Sequence, residues 1–486
     1  MKRYPDAPEF TGLNTPLGEE YEVPDLKIEG RIPGDVEGVF FRAVPDPAFP
    51  PFVEDAAAVL SGDGMISAIR FASGKASFGI RYVQTERHKA ESAAGRALFG
   101  KYRNPFTDMA EARGLDRTVV NTTPVWHAGR LLMTKEDGRP YRVNPHTLET
   151  MGKYDFGGKL KSQTVTAHVR IDPESAELFF YGYEADGLAS TKVAYCVADR
   201  YGTLASEQWF DAPYCAMMHD FTITKNYALF PVYPTTCDAQ RLRAGGDHWV
   251  HEMGRDSWVG VMPRYGSVAE MRWFRGPKGV SCYHMMNAFE DAEGRIQFDQ
   301  CLSSVNVFPF IQRASGLHVA PGETGARLAR WTIDLAKSGD CLTETVIGPP
   351  GDLPVIPASV QGRPYSHAWM LTMNPQMQGP PIAGGPVGAM FNMLLRLDFT
   401  GKPQALALPP GSCFNEPVHV PSTGAGEGWL LAVVDSQIGA SEFKHALWII
   451  DAGNVGAGPI AKAEIPHRLR PQVHGWWVGA GELRQA

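Results

Sequence analysis

The histidines of this protein fall into two groups that differ in their neighbours. Of the 14 histidines, four are flanked by apolar residues: His168 in TVTAHVRIDP, His219 in CAMMHDFTIT, His284 in CYHMMNAFE and His474 in PQVHGWW. Imidazole is a common ligand of iron, zinc and copper, so a metal site is one interpretation of these four residues. A single histidine on an apolar strand is more often a hydrogen-bonded core residue, and there is no local H-x-H or H-x-x-x-H pair among the four.

The separation of these histidines in the sequence is a further, weak indication. His219 follows His168 by 51 positions, His284 follows after another 65, and His474 after another 190. These separations are near one, one and three blades of a seven-bladed β-propeller of this length. Ligands from separate blades can meet at one metal ion, but spacing alone leaves the structural and the metal-binding interpretations open.

Short alternating segments throughout the sequence predict antiparallel strands that would position these histidines. The segments are Gly38–Ala43, Met65–Phe71, Ser77–Val83, Leu131–Lys135, Leu178–Tyr183, Tyr227–Val232, Ile296–Gln300 and Trp429–Asp435. Together with 51 glycines, 38 prolines and 10% aromatic residues, they favour a sandwich, barrel or propeller. One helix is predicted at Arg87–Phe99 as a surface insertion, and loops are predicted at Pro349–Pro357 and Pro375–Pro386.

Composition and charge exclude several classes of protein. The sequence has 486 residues, a net charge of −7 and a pI of about 6.1, without the basic stripe of a nucleic-acid-binding protein. There is no apolar stretch long enough for a transmembrane helix and no apolar signal-peptide region after MKRYPDAPEF. Seven scattered cysteines without a C-x-x-C pair are typical of reduced thiols. We therefore expect a cytoplasmic protein without nucleic-acid partners or stable membrane insertion.

A series of motifs in sequence order identifies a family. They are EGRIPGDVEGVFFR, SGDGMISAIRF, ALFGKYRNPFTD, KEDGRPYRVNPHTLET, TAHVRIDP, MMHDFTIT, RWFRGP, NEPVHVP and VHGWW. On these motifs the protein resembles the carotenoid cleavage oxygenase superfamily nearly end to end, and most of all its bacterial lignostilbene dioxygenase and isoeugenol monooxygenase branch. The resemblance implies an all-β fold, a seven-bladed β-propeller with iron on its axis. A loop and helix cap would form the substrate cavity, and residues 1–486 would be a single domain.

The resemblance also implies the iron site. The positions that match the family's four Fe(II) ligands are His168, His219, His284 and His474, with O2 as co-substrate. Four neutral ligands leave the metal its full charge and differ from the triad of two histidines and one carboxylate found in many other oxygenases.

Carboxylates that bind the second nitrogen of each ligand histidine are expected around such a site. Glu136 and Glu416 match two of the family's three glutamates, whereas Asp352 stands where relatives usually carry the third. Aspartate is one methylene shorter, so the backbone must approach, a water must bridge, or the alignment is shifted by a residue. In isolation, Glu136 in KEDG would be a solvated charge. Thr122, in NTTP, matches the residue whose methyl group crowds an open iron position.

Two residues indicate the substrate. Tyr102 and Lys135 match the pair that binds the phenolic 4-hydroxyl of the substrate in lignostilbene dioxygenases. A phenol close to losing its proton makes a para-alkenyl double bond electron-rich, and a lysine with a tyrosine favours that state by charge and hydrogen bonding. The alternative is an exposed Lys135 paired with Glu136 and a tyrosine in the core.

The walls of the substrate cavity give a further indication. Leu60 stands where stilbene-cleaving relatives carry phenylalanine, and this aliphatic residue favours a smaller alkenylphenol. Phe308 and Phe310 are predicted aromatic walls, with ordinary core packing as the alternative.

We therefore expect a non-haem Fe(II) dioxygenase that cleaves the alkenyl double bond of a 4-hydroxyphenyl alkene to aldehydes such as vanillin. The sequence leaves open whether the substrate is of the lignostilbene, isoeugenol or 4-vinylguaiacol type. A homodimer is compatible with it. One alternative is an apocarotenoid cleavage dioxygenase, which would want a long apolar tunnel and no phenol-binding pair. A second alternative is a propeller that serves as a non-catalytic scaffold, for which the presence of all four histidines is unfavourable.

Overall fold

Antiparallel hairpins are the repeating unit of the fold. The computed structural model describes residues 3–311, 323–337, 342–386, 388–424 and 426–484. Strand Asp63–Ala72 turns into strand Lys75–Tyr82 through Ser73 and Gly74, whose φ angles are 52° and 73°. Positive φ at both positions is typical of a type I′ turn, whose twist matches that of the paired strands. The second strand alternates more and less exposed residues, as expected where one face of a strand packs on the core.

The protein forms two compact units, Met1–Tyr154 with Trp369–Ala486 and Asp155–Ala368. In the first unit, sheet I has the strand order Tyr21–Val23, Lys75–Tyr82, Asp63–Ala72, Gly38–Asp46 and Gly475–Gly479. Sheet II consists of Thr123–His127, Arg130–Thr134, Tyr141–Val143 and Thr150–Lys153. Sheet VII has the order Lys27–Gly30, Pro459–Ile465, Phe443–Asp451, Trp429–Gln437 and Ser412–Phe414, and Val418–Val420 also pairs with Trp429–Gln437. Strands from both ends of the sequence thus share sheets I and VII.

The second unit contains three further four-stranded sheets. Sheet III consists of Arg170–Ile171, Leu178–Tyr183, Lys192–Ala198 and Leu204–Asp211. Sheet IV consists of Thr222–Ile223, Tyr227–Val232, Asp256–Pro263 and Arg272–Lys278, and a separate small hairpin pairs Thr235–Thr236 with Val250–His251. Sheet V consists of Ser281–Glu290, Ile296–Ser303, Arg327–Ile333 and Leu342–Gly348. Strand order follows sequence order in all three, so each sheet is one continuous meander.

Sheet VI consists of Asp352–Val355, His367–Thr372, Met393–Asp398 and Gln404–Ala407. The described residues therefore form seven sheets of four to six strands, one for each blade of the propeller predicted from the sequence. The helices are short: Ala58–Ser61, Glu86–Ala94, Ala239–Arg243 and Ala480–Leu483, with 3₁₀ turns at Pro8–Phe10, Gly12–Asn14, Pro105–Thr107, Ala110–Ala112, Val268–Glu270, Ala358–Val360 and Val455–Ala457.

All eight predicted strands are confirmed, but two other expectations need correction. The segment Pro349–Pro357 is not only a loop, because it contains the strand Asp352–Val355. The predicted helix at Arg87–Phe99 spans Glu86–Ala94 and ends where Gly95 adopts a φ of 68°. It is more than a surface insertion, because Glu91 is buried and its carboxylate accepts hydrogen bonds from the backbone N–H groups of Leu98 and Phe99. The predicted loop Pro375–Pro386 is confirmed.

The core lies between the sheets of each unit. In the second unit it includes Leu229, Val259, Phe298 and Trp331, all fully buried. Burial of each such residue stabilises the fold by about 1.5–3 kcal/mol relative to exposure, which makes the sheets a rigid support for residues at the strand ends.

Two expectations concern cysteines and membranes. The six described cysteines are free thiols, and Cys341 lies outside the described residues. Among the described residues, there is no helix that combines the length and apolarity needed to cross a membrane.

Candidate metal centre

Three of the four predicted histidine ligands meet in the second unit. His168 lies two residues before the first strand of sheet III, and His219 lies three residues before that of sheet IV. His284 lies within the first strand of sheet V. The Nε2 atoms of His168 and His219 are 3.0 Å apart, and those of His219 and His284 are 3.4 Å apart. One ligand atom from each of the three lies within 4.8 Å of the others. Corresponding positions in three consecutive sheets therefore bring together residues that are 51 and 65 positions apart.

Two side chains next to this cluster hold its backbone in place. The Thr166 hydroxyl donates to the carbonyl of His219 and accepts from the backbone N–H of His168. Asp220 is buried, pairs with Arg170 at 2.7 Å, and accepts a hydrogen bond from the backbone N–H of Met285. The strand that carries His284 is thus tied to the segment that carries His219. Sequence reasoning singled out neither residue, although Thr166 lies in TAHVRIDP and Asp220 in MMHDFTIT, the motifs that carry His168 and His219.

Asp352 directly contacts the histidine cluster. Its Oδ1 atom is 2.8 Å from Nδ1 of His284. The aspartate side chain therefore reaches His284 directly, without a bridging water. The next residue, Leu353, has a φ of 53° and donates its N–H to the same Asp352 oxygen. Since Nδ1 is bound to the carboxylate, His284 presents Nε2 to the cluster.

His474 and Glu416 make the corresponding contact in the first unit. Nδ1 of the buried His474 is 2.8 Å from Oε1 of Glu416, and the N–H of Gly475 donates to the other carboxylate oxygen. The backbone N–H of His474 donates to the carbonyl of Thr122. Thr122 is buried. The carboxylate thus fixes the imidazole orientation and leaves Nε2 as the nitrogen that could bind a metal.

Lys135 is a buried cation held by two acceptors. It is 2% exposed, and its ammonium group donates to the carbonyl of Leu60 and to Oδ1 of Asn121, both at 2.8 Å. The interpretation as an exposed lysine in a surface pair is wrong. An ammonium has three donors, so one remains for a substrate oxygen. Burial lowers the pKa of Lys135.

Asn121 organises the surroundings of Lys135. Its Nδ2 donates to the carbonyls of Leu60 and Gly62, while its Oδ1 accepts from Lys135 and from the Thr122 hydroxyl. The residue was not singled out from the sequence, since an asparagine in a loop is usually a turn residue. Its position beside Thr122 in NTTP was the signal that could have found it.

Other predicted site residues lie in the same unit as Lys135. The Lys135 Nζ atom is 5.4 Å from the ring centre of Tyr102, and burial raises the pKa of Tyr102 well above its usual value. Leu60 is half-buried in the helix Ala58–Ser61. Glu136 is 4% exposed, so the interpretation as a solvated charge is wrong.

A row of aromatic side chains leads from the predicted cavity walls to the histidine cluster. Phe308 and Phe310 are buried and stack with ring centres 5.0 Å apart. Tyr283 packs on Phe308 on one side and contacts His219 edge-on at 5.8 Å on the other. Asn306 donates a hydrogen bond to the Tyr283 hydroxyl. Tyr283 was missed from the sequence, although it directly precedes His284.

The residues present fit a transition-metal ion. Three imidazole Nε2 atoms converge within 4.8 Å. The Nε2 atoms of His168 and His219 are 3.0 Å apart, so the gap between them has no room for a proton on each nitrogen, and at least one of the two presents a lone pair. Imidazole nitrogens are suitable ligands for iron, and a carboxylate on the opposite nitrogen strengthens them as ligands.

Comparisons with known proteins agree with the fold. The family model described as retinal pigment epithelial membrane protein matches residues 14–479. Lignostilbene-α,β-dioxygenase isozyme III of Sphingomonas paucimobilis is 38% identical, over 99% of both proteins. Isoeugenol monooxygenase of Pseudomonas putida is 37% identical, over 97% of this protein and 98% of that one. The crystal structure of Pseudomonas brassicacearum lignostilbene dioxygenase superposes with a TM-score of 0.91 and 36% identity, and the match includes 99% of this protein and all of that one.

The fold is a seven-bladed β-propeller, and its sheets carry a histidine cluster at their first strands. The protein belongs to the retinal pigment epithelial membrane protein family, the carotenoid cleavage oxygenases. The predictions of family, branch and fold class are thereby confirmed. The prediction of a single domain over residues 1–486, the roles of the individual site residues and the cytoplasmic location stay predictions.

Proposed function

We propose that this protein is an Fe(II)-dependent oxygenase that cleaves the alkenyl double bond of a 4-hydroxyphenyl alkene to two carbonyl products. The observation that carries the proposal is the convergence of three imidazole nitrogens, from His168, His219 and His284, within 4.8 Å. The full-length relatives named lignostilbene dioxygenase and isoeugenol monooxygenase support this substrate class.

His474 is the fourth ligand in this proposal. Asp352 and Glu416 orient His284 and His474 through Nδ1, and Glu136 would serve a third ligand in the same way. The iron, once bound, supplies the activation of O2 that the side chains of the protein cannot. Thr122, whose carbonyl accepts from the His474 backbone, would restrict access to one open position.

Lys135 and Tyr102 supply the chemistry at the phenol. When protonated, Lys135 places a positive charge in a buried site with one donor to spare, and this charge favours the phenolate over the phenol. Burial raises the pKa of Tyr102, which keeps its hydroxyl protonated as a second donor. Loss of the phenolic proton makes the para-alkenyl bond electron-rich at the carbon that reacts.

The aromatic row orients the rest of the substrate and excludes water. Phe308 and Phe310 provide flat apolar surfaces, and Tyr283 lies between them and His219. Leu60 contributes an aliphatic wall whose own carbonyl binds Lys135. This combination favours one substituted ring with a short alkenyl group, such as an isoeugenol or a 4-vinylguaiacol.

Metal analysis of purified, iron-loaded protein tests the metal part of the proposal. We expect one iron per protein molecule, and His219→Ala should lose both iron and turnover. His146→Ala is the matched control, because His146 is exposed and matches no ligand position. Normal iron occupancy and turnover in His219→Ala would disprove the assignment of His219.

A substrate panel under O2 tests the reaction. Iron-loaded enzyme is incubated with a lignostilbene, isoeugenol, 4-vinylguaiacol and an apocarotenal, and the aldehydes are identified by mass spectrometry. We expect a 4-hydroxybenzaldehyde from the phenolic alkenes. Cleavage of the apocarotenal alone would favour the apocarotenoid oxygenase instead, and no turnover of any compound with full iron would favour a scaffold. Light scattering on the same sample tests the predicted homodimer.

A further inference from the structure

A second cluster of metal-ligating side chains lies in the Asp155–Ala368 unit, outside the centre described above. Glu184 directly follows strand Leu178–Tyr183 of sheet III. Cys237 follows Thr235–Thr236, and His248 precedes Val250–His251, the two strands of the small hairpin. Pairing of these strands brings the cysteine and the histidine to the same end of the hairpin, on either side of the helix Ala239–Arg243.

The three side chains converge on one point. Nε2 of His248 is 3.0 Å from Oε2 of Glu184. One ligand atom from each of Glu184, Cys237 and His248 lies within 4.8 Å of the other two. Glu184 is 3% exposed and His248 is 2% exposed. The cluster is therefore a small, nearly closed polar site.

This geometry distinguishes a metal site from a hydrogen-bonded relay. In a Cys–His–Glu relay the thiol and the carboxylate would bind opposite nitrogens of the imidazole, and their atoms would then be roughly 7 Å apart. The sulfur and a carboxylate oxygen here are within 4.8 Å of each other, so both face the same side of His248. Ligands at about 2.1–2.3 Å from a tetrahedral zinc ion lie roughly 3.5 Å apart, a separation that this cluster can reach by small side-chain rotations.

The ligand atoms that Glu184, Cys237 and His248 offer would favour zinc over iron(II). One thiol sulfur, one imidazole nitrogen and one carboxylate oxygen are ligands that Zn²⁺ commonly takes together. A soft sulfur ligand favours zinc over iron(II), in contrast to the all-imidazole cluster of this protein. The thiol of Cys215 lies within hydrogen-bond distance of Cys237, where it could become a fourth ligand.

We propose that Glu184, Cys237 and His248 form a second metal site, selective for Zn²⁺, that fastens the 235–251 hairpin to the end of strand Leu178–Tyr183. The site is structural, and its zinc takes no part in oxygen chemistry, since Zn²⁺ does not change its oxidation state. It lies on different residues from those of the proposed iron centre, so it stands whether or not that centre holds iron.

Cobalt is the probe that separates the two sites. Iron-loaded enzyme, freed of other metals by dialysis against a mild chelator, is titrated with Co²⁺. A thiolate bound to Co²⁺ gives an intense charge-transfer band in the near ultraviolet, which a site of four imidazoles cannot give. We expect this band to saturate at one Co²⁺ per protein molecule and to disappear on addition of Zn²⁺. Absence of the band at saturating Co²⁺ would overturn the proposal.

Variants assign the band to the cluster. Cys237→Ser should abolish it, and His248→Gln should weaken Zn²⁺ binding by at least about 100-fold. Cys413→Ser is the matched control, because Cys413 is also a buried free thiol but lies on strand Ser412–Phe414 of the other unit. An unchanged band in folded Cys237→Ser would refute the site.

A measurement on the native protein covers the case in which these variants do not fold. Zinc X-ray absorption should show one sulfur, or two if Cys215 joins, among nitrogen and oxygen ligands. A sulfur-free zinc environment would overturn the proposal without any variant.

Discussion

Replacement of Lys135 by methionine gives a sharp test of the phenolate mechanism. Methionine keeps much of the length and apolar volume of the lysine stem, and it removes the charge and all three donors. The structure fixes where these donors point, since two of them bind the Leu60 carbonyl and Asn121 Oδ1 at 2.8 Å. These two donors act on stability, and the third is assigned to the substrate. The loss of turnover and the loss of stability are therefore measured separately.

The expected loss of rate follows from the charge and burial of this group. Two unit charges about 3 Å apart interact by roughly 5 kcal/mol at an effective dielectric constant near 20. The net value of a hydrogen bond to a charged group is smaller, about 2 kcal/mol. At about 1.4 kcal/mol for each factor of ten, kcat/KM for a 4-hydroxy substrate should fall between about 30-fold and several thousand-fold. Iron content should not change, because Lys135 is not a ligand.

The variant also removes one of two donors from each of two buried acceptors. Each lost hydrogen bond should cost about 1 kcal/mol of stability, because Asn121 still donates to the Leu60 carbonyl and Thr122 still donates to Asn121 Oδ1. A lower unfolding temperature is therefore expected, and rates must be measured well below it. Lys27→Met is a control for the loss of a lysine, since the Lys27 side chain is 83% exposed.

The decisive assay compares two substrates on two enzymes. The native enzyme should reject the 4-methoxy analogue of its best substrate by about 10⁴-fold, because a site built to bind a hydroxyl leaves its polar groups unpaired against a methoxy group. Lys135→Met should lose most of this discrimination, whatever general damage it suffers. Efficient cleavage of the methoxy analogue by the native enzyme, or the same discrimination in both enzymes, would refute the phenolate mechanism.

Three further predictions concern other charged groups. Asp352→Ala should weaken iron binding or turnover by about 10–100-fold with the fold intact, because it removes the contact to His284 Nδ1; wild-type iron affinity and activity would contradict the role of this contact. Burial lowers the pKa of Lys135 from its ordinary value of 10.5, so its charge is lost at a lower pH than that of a solvent-exposed lysine. The ratio of kcat/KM of the native enzyme to that of Lys135→Met should therefore fall as pH rises, with an apparent pKa below 10.5. A ratio that stays independent of pH up to 10.5 would argue against a role for the Lys135 charge. Burial opposes ionisation of Asp172, but hydrogen bonds from the Ser175 backbone and from Arg264 lower its pKa to about 2. The ionised Asp172 therefore stabilises the fold above the pKa of the unfolded state, near 3.8, and this stabilisation is lost as pH falls through 2. Asp172→Asn should lower the free energy of unfolding, measured with denaturant at pH 7, by about 3 kcal/mol. The difference between variant and native protein should shrink below about pH 4.

The elements of this fold were accessible from the sequence because each strand carries its own signal. Alternation in segments such as Lys75–Tyr82, and continuous apolar runs such as Leu178–Tyr183, depend only on the two-residue period of a strand. The histidines were predicted as ligands from ordered motifs, and the three in the second unit meet because each lies in the first strand of its sheet or two to three residues before it. Pairwise spacing could indicate this repeat but could not distinguish it from core packing.

Contacts between distant residues were less accessible. Asn121 binds Leu60, Gly62 and Lys135 through one amide group, yet a single asparagine in a loop gives no sign of its partners. Glu184 and His248 are 64 positions apart and belong to no shared motif. Such sites are created by strand pairing, so they become visible only when the pairing is known.

Asp352 contacts His284 directly, although the predicted alignment places it where relatives carry glutamate. A carboxylate one methylene shorter than glutamate would fall short of His284 if the backbone kept the same path. The strand Asp352–Val355 begins at this residue, and Leu353 adopts a φ of 53°, a conformation that branched and bulky residues adopt rarely. The positive φ of Leu353 accompanies a hydrogen bond from its N–H to Asp352 Oδ1, the oxygen that contacts His284. Asp352→Glu should not restore a more typical site, because Asp352 Oδ1 already lies 2.8 Å from His284 Nδ1 and a longer side chain would displace this contact. The iron affinity of the variant should therefore be lower than that of the native protein. A variant that binds iron equally well would show that the backbone at Leu353 adapts freely to either carboxylate.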